Sequence, residues 1–249
     1  MSSPVATWQW TASYRTGFNY DFNQDTISGQ FYTHDIGVYL THTPLAQLSW
    51  GFHVDGIYIY QDNVGASGSA GLQSYSLQVP FGPYFRYEIW QRWSLQGSID
   101  VNPQNYYQDS ALTASLKRSG TDFSPKISLK SLGVDRIWNP GFALIFDSNG
   151  SSGNEYSANS YTFEINNTFH LMQPLDLSIA LDYGAAYYSS RPEGARFDSI
   201  YVLDLNAVYH LNGKWSILGD IQYFDNISTV PSQFQFTRLI ASLGVGYSF

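Results

Sequence analysis

The residues most open to a chemical interpretation are Asp147, Ser148, Asn149 and Gly150, which follow one another in the chain. A serine beside two polar residues suggests a nucleophile, but a serine hydroxyl needs an adjacent general base to take its proton. Phe146 precedes Asp147 and cannot act as that base. Asp, Ser, Asn and Gly are also the residues that turns prefer. The pattern therefore favours the tip of a loop, and no catalytic residue is predicted.

The same four residues resemble the Asp-Ser-Asn-Gly piece of the outer-membrane phospholipase A family. That family is a twelve-stranded barrel whose Ser-His-Asn catalytic set faces the lipid, with the His immediately before the Asp. Here the His position is Phe146, and the position of the Asn that orients the His is Ser160, beside Asn159. The resemblance implies a lipid hydrolase, but two of the three catalytic positions hold other residue types.

Histidine and cysteine add no further chemistry. The five histidines lie on separate segments without the spacing of metal ligands; they are His34, His42, His53, His170 and His210. The chain has no cysteine, so disulfides and thiolate-metal sites are not predicted. We expect no metal and no cofactor. A net charge of -8, without a basic patch, argues against nucleic acid as a partner.

The composition indicates which elements carry these residues. Aromatic residues make up 17% of the chain and charged residues only 13%, whereas about a quarter of an average soluble protein is charged. The longest apolar runs, such as 142–146, are far shorter than the roughly 18 residues of a spanning helix. In hydrocarbon the β structure that pairs every backbone group is a closed barrel. No linker divides the chain, so residues 1–249 are predicted to form one all-β barrel domain.

About twelve segments place an apolar side chain at every second residue, the first of them Ala6–Tyr20. Short connections near Thr43, Gln91, Asn139, Gln173 and Asn212 alternate with long ones near Asn23, Gly68, Ala111, Ser152, Gly194 and Val230. This alternation is typical of outer-membrane barrels, whose periplasmic turns are tight and whose extracellular loops are long. The sequence predicts a transmembrane antiparallel up-and-down barrel of about 12 strands, with both termini on the periplasmic side.

The last residues of the chain support this class. Ser242, Gly244, Tyr247 and Phe249 fill the defined places of a polar, Gly, apolar, apolar pattern. This pattern resembles the C-terminal signal of Gram-negative outer-membrane β-barrels. The resemblance implies a location in the bacterial outer membrane, where the partners are outer-membrane lipids and lipopolysaccharide, and the barrel-assembly machinery during insertion. The Met-Ser-Ser start has no basic or apolar leader, so any export signal is expected to have been removed.

Tryptophans cluster near the short turns and near the start of the chain. Amphipathic rings are enriched at the two water interfaces of a membrane. We therefore predict one aromatic girdle, made by Trp8, Trp10, Trp50, Trp90, Trp93, Trp138 and Trp215.

The faces opposite the apolar residues collect the charges, so these residues are predicted to line a pore. They are Arg15, Asp35, Asp55, Arg86, Glu88, Asp100, Lys126, Lys130, Glu164, Asp182, Asp204, Asp220 and Arg238. Acids outnumber bases, which predicts a weak preference for cations. Arg15 and Arg238 are on the first and last strands, which become neighbours on closure, and are expected to form a basic spot. A narrow open pore and a lumen filled by paired charges are both compatible with twelve strands.

The middle of the chain gives more specific expectations. The longest connection is predicted at 103–122, beginning at Pro103. Residues 111–118 contain enough helix formers for about two turns, and the acidic lumen would attract Lys117 and Arg118. This loop is hypothesised to fold inward and narrow the pore; a mobile extracellular loop is the alternative. A bulge is predicted between Ile127 and Val134, and a turn at 139–141.

These features predict an outer-membrane channel, or porin, for passive diffusion of small hydrophilic solutes, and not an enzyme. One alternative is the barrel domain, acting as export pore or anchor, of a secretion or polysaccharide/amyloid export system with periplasmic export partners. A second alternative is an outer-membrane lipid hydrolase. The solute and the oligomeric state are not predicted.

Overall fold

The computed structural model describes residues 7–21, 30–62, 72–90, 92–107, 114, 117–131, 138–153, 156–172, 174–189, 191 and 194–248. These residues form thirteen strands in one sheet and one four-residue helix. The elements are β1 (Thr7–Asp21), β2 (Gln30–Leu45), β3 (Leu48–Asp62), β4 (Leu72–Gln78), β5 (Phe81–Trp90), β6 (Trp93–Tyr106), β7 (Gly120–Ser131), β8 (Trp138–Ser151), β9 (Ala158–Met172), β10 (Leu175–Tyr188), β11 (Arg196–His210), β12 (Trp215–Ser228), α1 (Pro231–Phe234) and β13 (Phe236–Ser248).

The sheet closes on itself as an antiparallel barrel. Consecutive strands pair with each other except for β4 and β5, and β1 also pairs with β13, from Ser13 opposite Ser248 to Asp21 opposite Ile240. The strands β4 and β5 occupy successive lengths of the same gap between β3 and β6. Together β4 and β5 therefore act as one interrupted strand of the wall, so the barrel has twelve strand positions around its circumference. The prediction of an all-β, up-and-down barrel of about twelve strands is confirmed.

The interruption between β4 and β5 falls at Val79 and Pro80. Proline has no N–H to donate to a ladder, so it favours breaks and edges in sheets. The neighbouring strands still satisfy the backbone here, because the Asp55 N–H donates to the Pro80 carbonyl (2.8 Å) and the Val79 N–H donates to the Pro103 carbonyl (3.0 Å). The wall stays closed across the break.

The barrel is polar inside and apolar outside. Large hydrophobic side chains that are exposed fall on one face of each strand, as with Leu203 and Leu205 of β11 or Ile217 and Ile221 of β12. Among the described residues, the buried hydrophobic side chains are only Ala143 and Ala186, whereas many buried side chains are polar. Such a surface is stable where hydrocarbon surrounds the barrel. No helix in the described part of the chain is long and apolar enough to cross a membrane.

The two ends of the barrel differ in their connections. At the short-turn end, the connections 46–47, 91–92, 173–174 and 211–214 join neighbouring strands, β1 begins and β13 ends. At the long-connection end, residues 22–29, 63–71, 107–119, 152–157, 189–195 and 229–235 join the strands. The alternation predicted from sequence weakens at one place, because 132–137 at the short-turn end is as long as 152–157.

Several predicted boundaries were wrong. Pro103 does not end its strand, since β6 continues to Tyr106 and Pro103 pairs with Thr121. The predicted turn at 139–141 lies inside β8, where Asn139 pairs with Thr168. In each case, pairing with a neighbouring strand overrides the local turn propensity. Most of the predicted helix at 111–118, and residues 132–137 of the predicted bulge, lie outside the described residues.

A bulge occurs instead in β4, where the register against β3 shifts between Ile59 and Tyr60. Tyr75 lies at this bulge, and its ring contacts Phe31 (5.4 Å between centroids) and Tyr106 (5.5 Å). Both partners are on lumen faces by register, so Tyr75 faces the lumen, whereas strict alternation with Leu77 would have put it on the lipid face. A bulge adds one residue to a strand and so changes which face the next side chain takes.

Candidate functional site

The register determines which side chains face the lumen. Along each strand, exposed apolar residues occupy alternate positions and point outward, so the side chains at the positions between them face the lumen. The structure places every charged residue that was predicted to line the pore on an inward face; these are Arg15, Asp35, Asp55, Arg86, Glu88, Asp100, Lys126, Lys130, Glu164, Asp182, Asp204, Asp220 and Arg238.

One group of these residues is centred on His53. Its Nδ1 lies 2.8 Å from Asp55 Oδ2 and its Nε2 lies 2.6 Å from Asp100 Oδ1. Tyr39 donates to Asp55 (3.1 Å) and stacks on the His53 ring, and Ser98 donates to Asp100 (3.3 Å). The imidazole donates to both carboxylates only when it carries both N–H groups. This group ties β2, β3 and β6 together across the lumen face.

A second group contains the lysines of β7. Lys126 Nζ lies 3.0 Å from Glu164 Oε2, and Asn166 donates to the other oxygen of Glu164. Arg86 and Glu88 form a looser pair at 3.4 Å, with exposed side-chain fractions of 45% and 37%. Because these charged side chains face inward and still remain exposed, the space beside them inside the barrel is open.

Acidic side chains that form no salt bridge among the described residues continue from this group around the wall. Asp182, Asp204 and Asp220 are on the inward faces of β10, β11 and β12, which are consecutive strands. In Asp35, Asp182 and Asp204, the Oδ1 atom is buried and has no hydrogen-bond partner within the described structure. Carboxylates that the protein does not neutralise attract cations to this side of the lumen.

The basic spot predicted for Arg15 and Arg238 does not form. The two strands are neighbours, but Arg15 pairs with Gly246, eight residues along β13 from Arg238. At about 3.3 Å per residue, the two α-carbons lie roughly 26 Å apart along the strands. Arg15 is opposite Asp35 instead, and the Arg238 guanidinium lies 5.2 Å from the Phe236 ring centroid. Two residues on neighbouring strands are close only where the register places them opposite each other. Neighbouring strands alone therefore do not bring these two arginines together.

At the short-turn end, Asp176 accepts hydrogen bonds from two histidines on neighbouring strands. His170 Nδ1 lies 2.5 Å from Oδ1, and His210 Nε2 lies 3.2 Å from Oδ2. All three side chains are partly exposed at the barrel opening. No group of at least three His, Asp or Glu among the described residues is arranged to hold a metal ion.

Sequence patterns missed several inward charges. Asp122 and Asp147 face the lumen because β7 and β8 are longer than predicted, and Asp176 was left out of the predicted pore lining. Arg196 and Asp198 of β11 also face inward, and they are almost fully buried (4% and 2% exposed). The sequence signal that could have identified them as inward residues is their alternation with Phe197, Ser199 and Tyr201.

The predicted girdle lies mainly on the outer surface near the short-turn end. Trp8, Trp10, Trp50, Trp138 and Trp215 are exposed there, Trp93 is half-buried, and the side chain of Trp90 is outside the described part. In the terminal signal, Ser242 and Gly244 face inward and Tyr247 faces outward, with its ring 4.6 Å from Trp215. Phe249 lies outside the described residues.

The sequence predicted a loop at the candidate nucleophile, but the structure places Ser148 among the last residues of β8. Ser148 faces outward and is opposite Asn159 of β9. The position of the general base in the phospholipase family is filled by Phe146, whose ring packs on Tyr161 (5.1 Å). Ser148 thus has an aromatic pair where a base would be required.

Comparisons with solved structures agree with the barrel. The chain is similar to the KdgM porin (TM-score 0.55, 11% identity, covering 95% of this chain and 99% of that one). It is also similar to the NanC porin (0.55, 12%, 96% and 100%) and to an outer-membrane channel from Pseudomonas putida (0.54, 13%, 100% and 97%). No family model and no curated protein matches the sequence.

Three observations together define the class of the protein: the closed pairing of the strands, the apolar outer wall and the similarity to solved porins and channels. The chain has the fold of bacterial outer-membrane porins and channels. The class that the terminal signal indicated is therefore confirmed.

Proposed function

We propose that this barrel is a channel for the passive diffusion of small hydrophilic solutes, with a preference for cations. The observation that carries the proposal is that charged side chains face the inside of a closed barrel and keep contact with solvent there, as Arg15 and Arg86 do. A lumen filled by its own side chains would bury them. The whole of residues 1–249 acts as one barrel domain in this proposal.

The preference for cations follows from the lumen wall. Within the described part of the chain, Asp182, Asp204 and Asp220 form no salt bridge with a basic side chain, whereas Lys126 is paired with Glu164. A narrow bore with low-dielectric walls concentrates the field of such charges. The KdgM porin has been solved with oligogalacturonate, but a polyanion would be repelled by this wall, so the solute of that neighbour is not carried over.

The proposal also includes the orientation of the barrel in the membrane. The short-turn end, with both termini and the tryptophan girdle, faces the periplasm, and the long connections face the outside. Outer-membrane lipids and lipopolysaccharide surround the apolar wall, and the barrel-assembly machinery inserts it through the terminal signal.

Planar lipid bilayers test the function directly. Purified protein should give stepwise conductance in KCl, and the reversal potential under a KCl gradient should show a preference for potassium that weakens at high salt. A heat-modifiable band on SDS gels is the control for folding. Folded protein that inserts without conductance would contradict a channel, and a preference for chloride would contradict the role of the acidic wall.

A further inference from the structure

The long-connection end contains a cluster of stacked cations and rings that the channel proposal does not use. It consists of Tyr188, Arg191, Arg196, Asp198, Asn226 and Phe234, and it is called the mouth clasp below. Tyr188, Arg196, Asp198 and Asn226 are inward residues of β10, β11 and β12. Arg191 and Phe234 come from two different long connections.

Arg196 is the centre of the clasp. Its guanidinium lies between two rings, 3.5 Å from the centroid of Tyr188 and 3.8 Å from that of Phe234. Its Nε lies 3.1 Å from Asp198 Oδ2. A desolvated guanidinium is attracted to the face of an aromatic ring, so this side chain joins the wall to the connection at 229–235.

Phe234 is held from several directions. Arg191 lies 4.7 Å from its ring centroid, and Asn226 Nδ2 donates to its carbonyl at 2.7 Å. The connection is anchored at its start as well, because the Thr229 N–H donates to the Phe197 carbonyl (2.9 Å) and Thr229 Oγ1 accepts from the Phe197 N–H (3.0 Å). A single helical turn such as α1 is not stable alone, so these contacts determine its position.

The position of the Phe234 ring has a consequence for the lumen. Arg196, on which the ring stacks, points inward from the wall, and Arg196 is 4% exposed because the ring covers it. The ring therefore lies inside the wall and takes part of the cross-section of the mouth. Arg118, from the connection that the sequence predicted to narrow the pore, donates to the hydroxyls of Tyr75 (2.8 Å) and Tyr156 (3.3 Å).

We propose that Phe234, held by Arg191 and Arg196, is the residue that narrows the long-connection mouth and sets the size limit of the permeating solute. The inference rests on the proposed channel function. The solutes that it admits are small hydrophilic cations, and bulkier cations of the same charge are excluded at the ring.

Single-channel recording tests the role of Phe234. Phe234→Ala should raise conductance in KCl roughly twofold, since a constriction dominates the resistance of a pore, and should raise the permeability of tetraethylammonium and tetrabutylammonium relative to potassium. The matched control is Phe236→Ala, a lumen-facing Phe two residues away that stacks on Phe224 in the wall (5.5 Å). We expect it to change neither quantity. Arg191→Gln, which loosens the clasp without removing the ring, should give an intermediate increase.

A chemical test uses the absence of cysteine from the chain. Phe234→Cys should conduct like the Ala variant, and a bulky thiosulfonate reagent should then lower its conductance again. Ile227→Cys, on the outward face of β12, should be insensitive to the same reagent.

The outcomes separate the two proposals. A wild-type protein that folds and inserts but does not conduct removes the channel, and the size limit with it. A wild-type protein that conducts, with Phe234→Ala indistinguishable from it in conductance and in tetraalkylammonium permeability, removes only the mouth clasp. Insensitivity of Phe234→Cys to the reagent also overturns the clasp.

Discussion

Neutralising the lumen acids of β10, β11 and β12 should reduce the preference for cations. The variant combines Asp182→Asn, Asp204→Asn and Asp220→Asn, which keeps side-chain size on three consecutive strands. For a charge about 8 Å from the pore axis in water, the Coulomb energy on a permeating ion is roughly 0.52 kcal/mol, and screening at 0.1 M salt reduces it to about 0.23 kcal/mol. Three charges sum to about 0.7 kcal/mol.

This energy acts with opposite sign on the two ions. A cation loses the attraction and an anion loses the repulsion, so the relative permeability of potassium over chloride should fall by up to about tenfold. The three residues do not lie at one height in the bore, so we expect a reduction of several-fold. The shift should shrink in 1 M salt, where the Debye length is only about 3 Å.

Reversal potentials in bilayers under a KCl gradient measure this ratio. Asp225→Asn is the control for position, because it makes one such Asp-to-Asn change on the outward face of β12, where Asp225 accepts a hydrogen bond from Thr237 (3.0 Å). It should leave the ratio unchanged. A triple variant that folds, as judged by its heat-modifiable band, and keeps the wild-type ratio would refute the assignment of selectivity to these carboxylates.

Three further predictions concern stability and chemistry. Leu203→Arg places a charge on the outward face of β11 and should lower the free energy of unfolding by about 2–4 kcal/mol, whereas Asn206→Arg on the lumen face should change it little; urea titrations in detergent or lipid compare the two. His53→Leu leaves Asp55 and Asp100 without their shared partner and should cost about 2–3 kcal/mol, so an unchanged urea midpoint would contradict the bonding described. No fatty acid should be released from phospholipid, even with calcium, because Ser148 has no base; turnover that Ser148→Ala abolishes would show otherwise.

The fold was predictable from the sequence because a barrel imposes the same local rule on every strand. Leu203, Leu205 and Ala207 alternate with Asp204 and Asn206, and the structure gives the two sets opposite faces. This rule needs no knowledge of distant contacts. It was sufficient to place each predicted lumen charge on the inward side.

The failures all depend on contacts between distant parts of the chain, which one sequence does not reveal. Tyr75 changed face because of a bulge against β3, and Arg15 and Arg238 were separated by the register of β1 against β13. The mouth clasp was missed because Arg196 and Phe234 are far apart in sequence and meet only when a connection folds back into the barrel. Local propensity does not encode such contacts.

The pairing of β1 with β13 also determines the order in which the barrel can form. Every other pair in the barrel joins strands that are neighbours along the chain or nearly so, whereas this pair brings Ser13 to Ser248. Closing a loop of that length costs about 5 kcal/mol of chain entropy, against about 1 kcal/mol for a tight hairpin. Hairpins therefore form first, and closure comes last. Until then β1 and β13 are two open edges with unpaired N–H and C=O groups, which makes the unclosed sheet prone to join other chains.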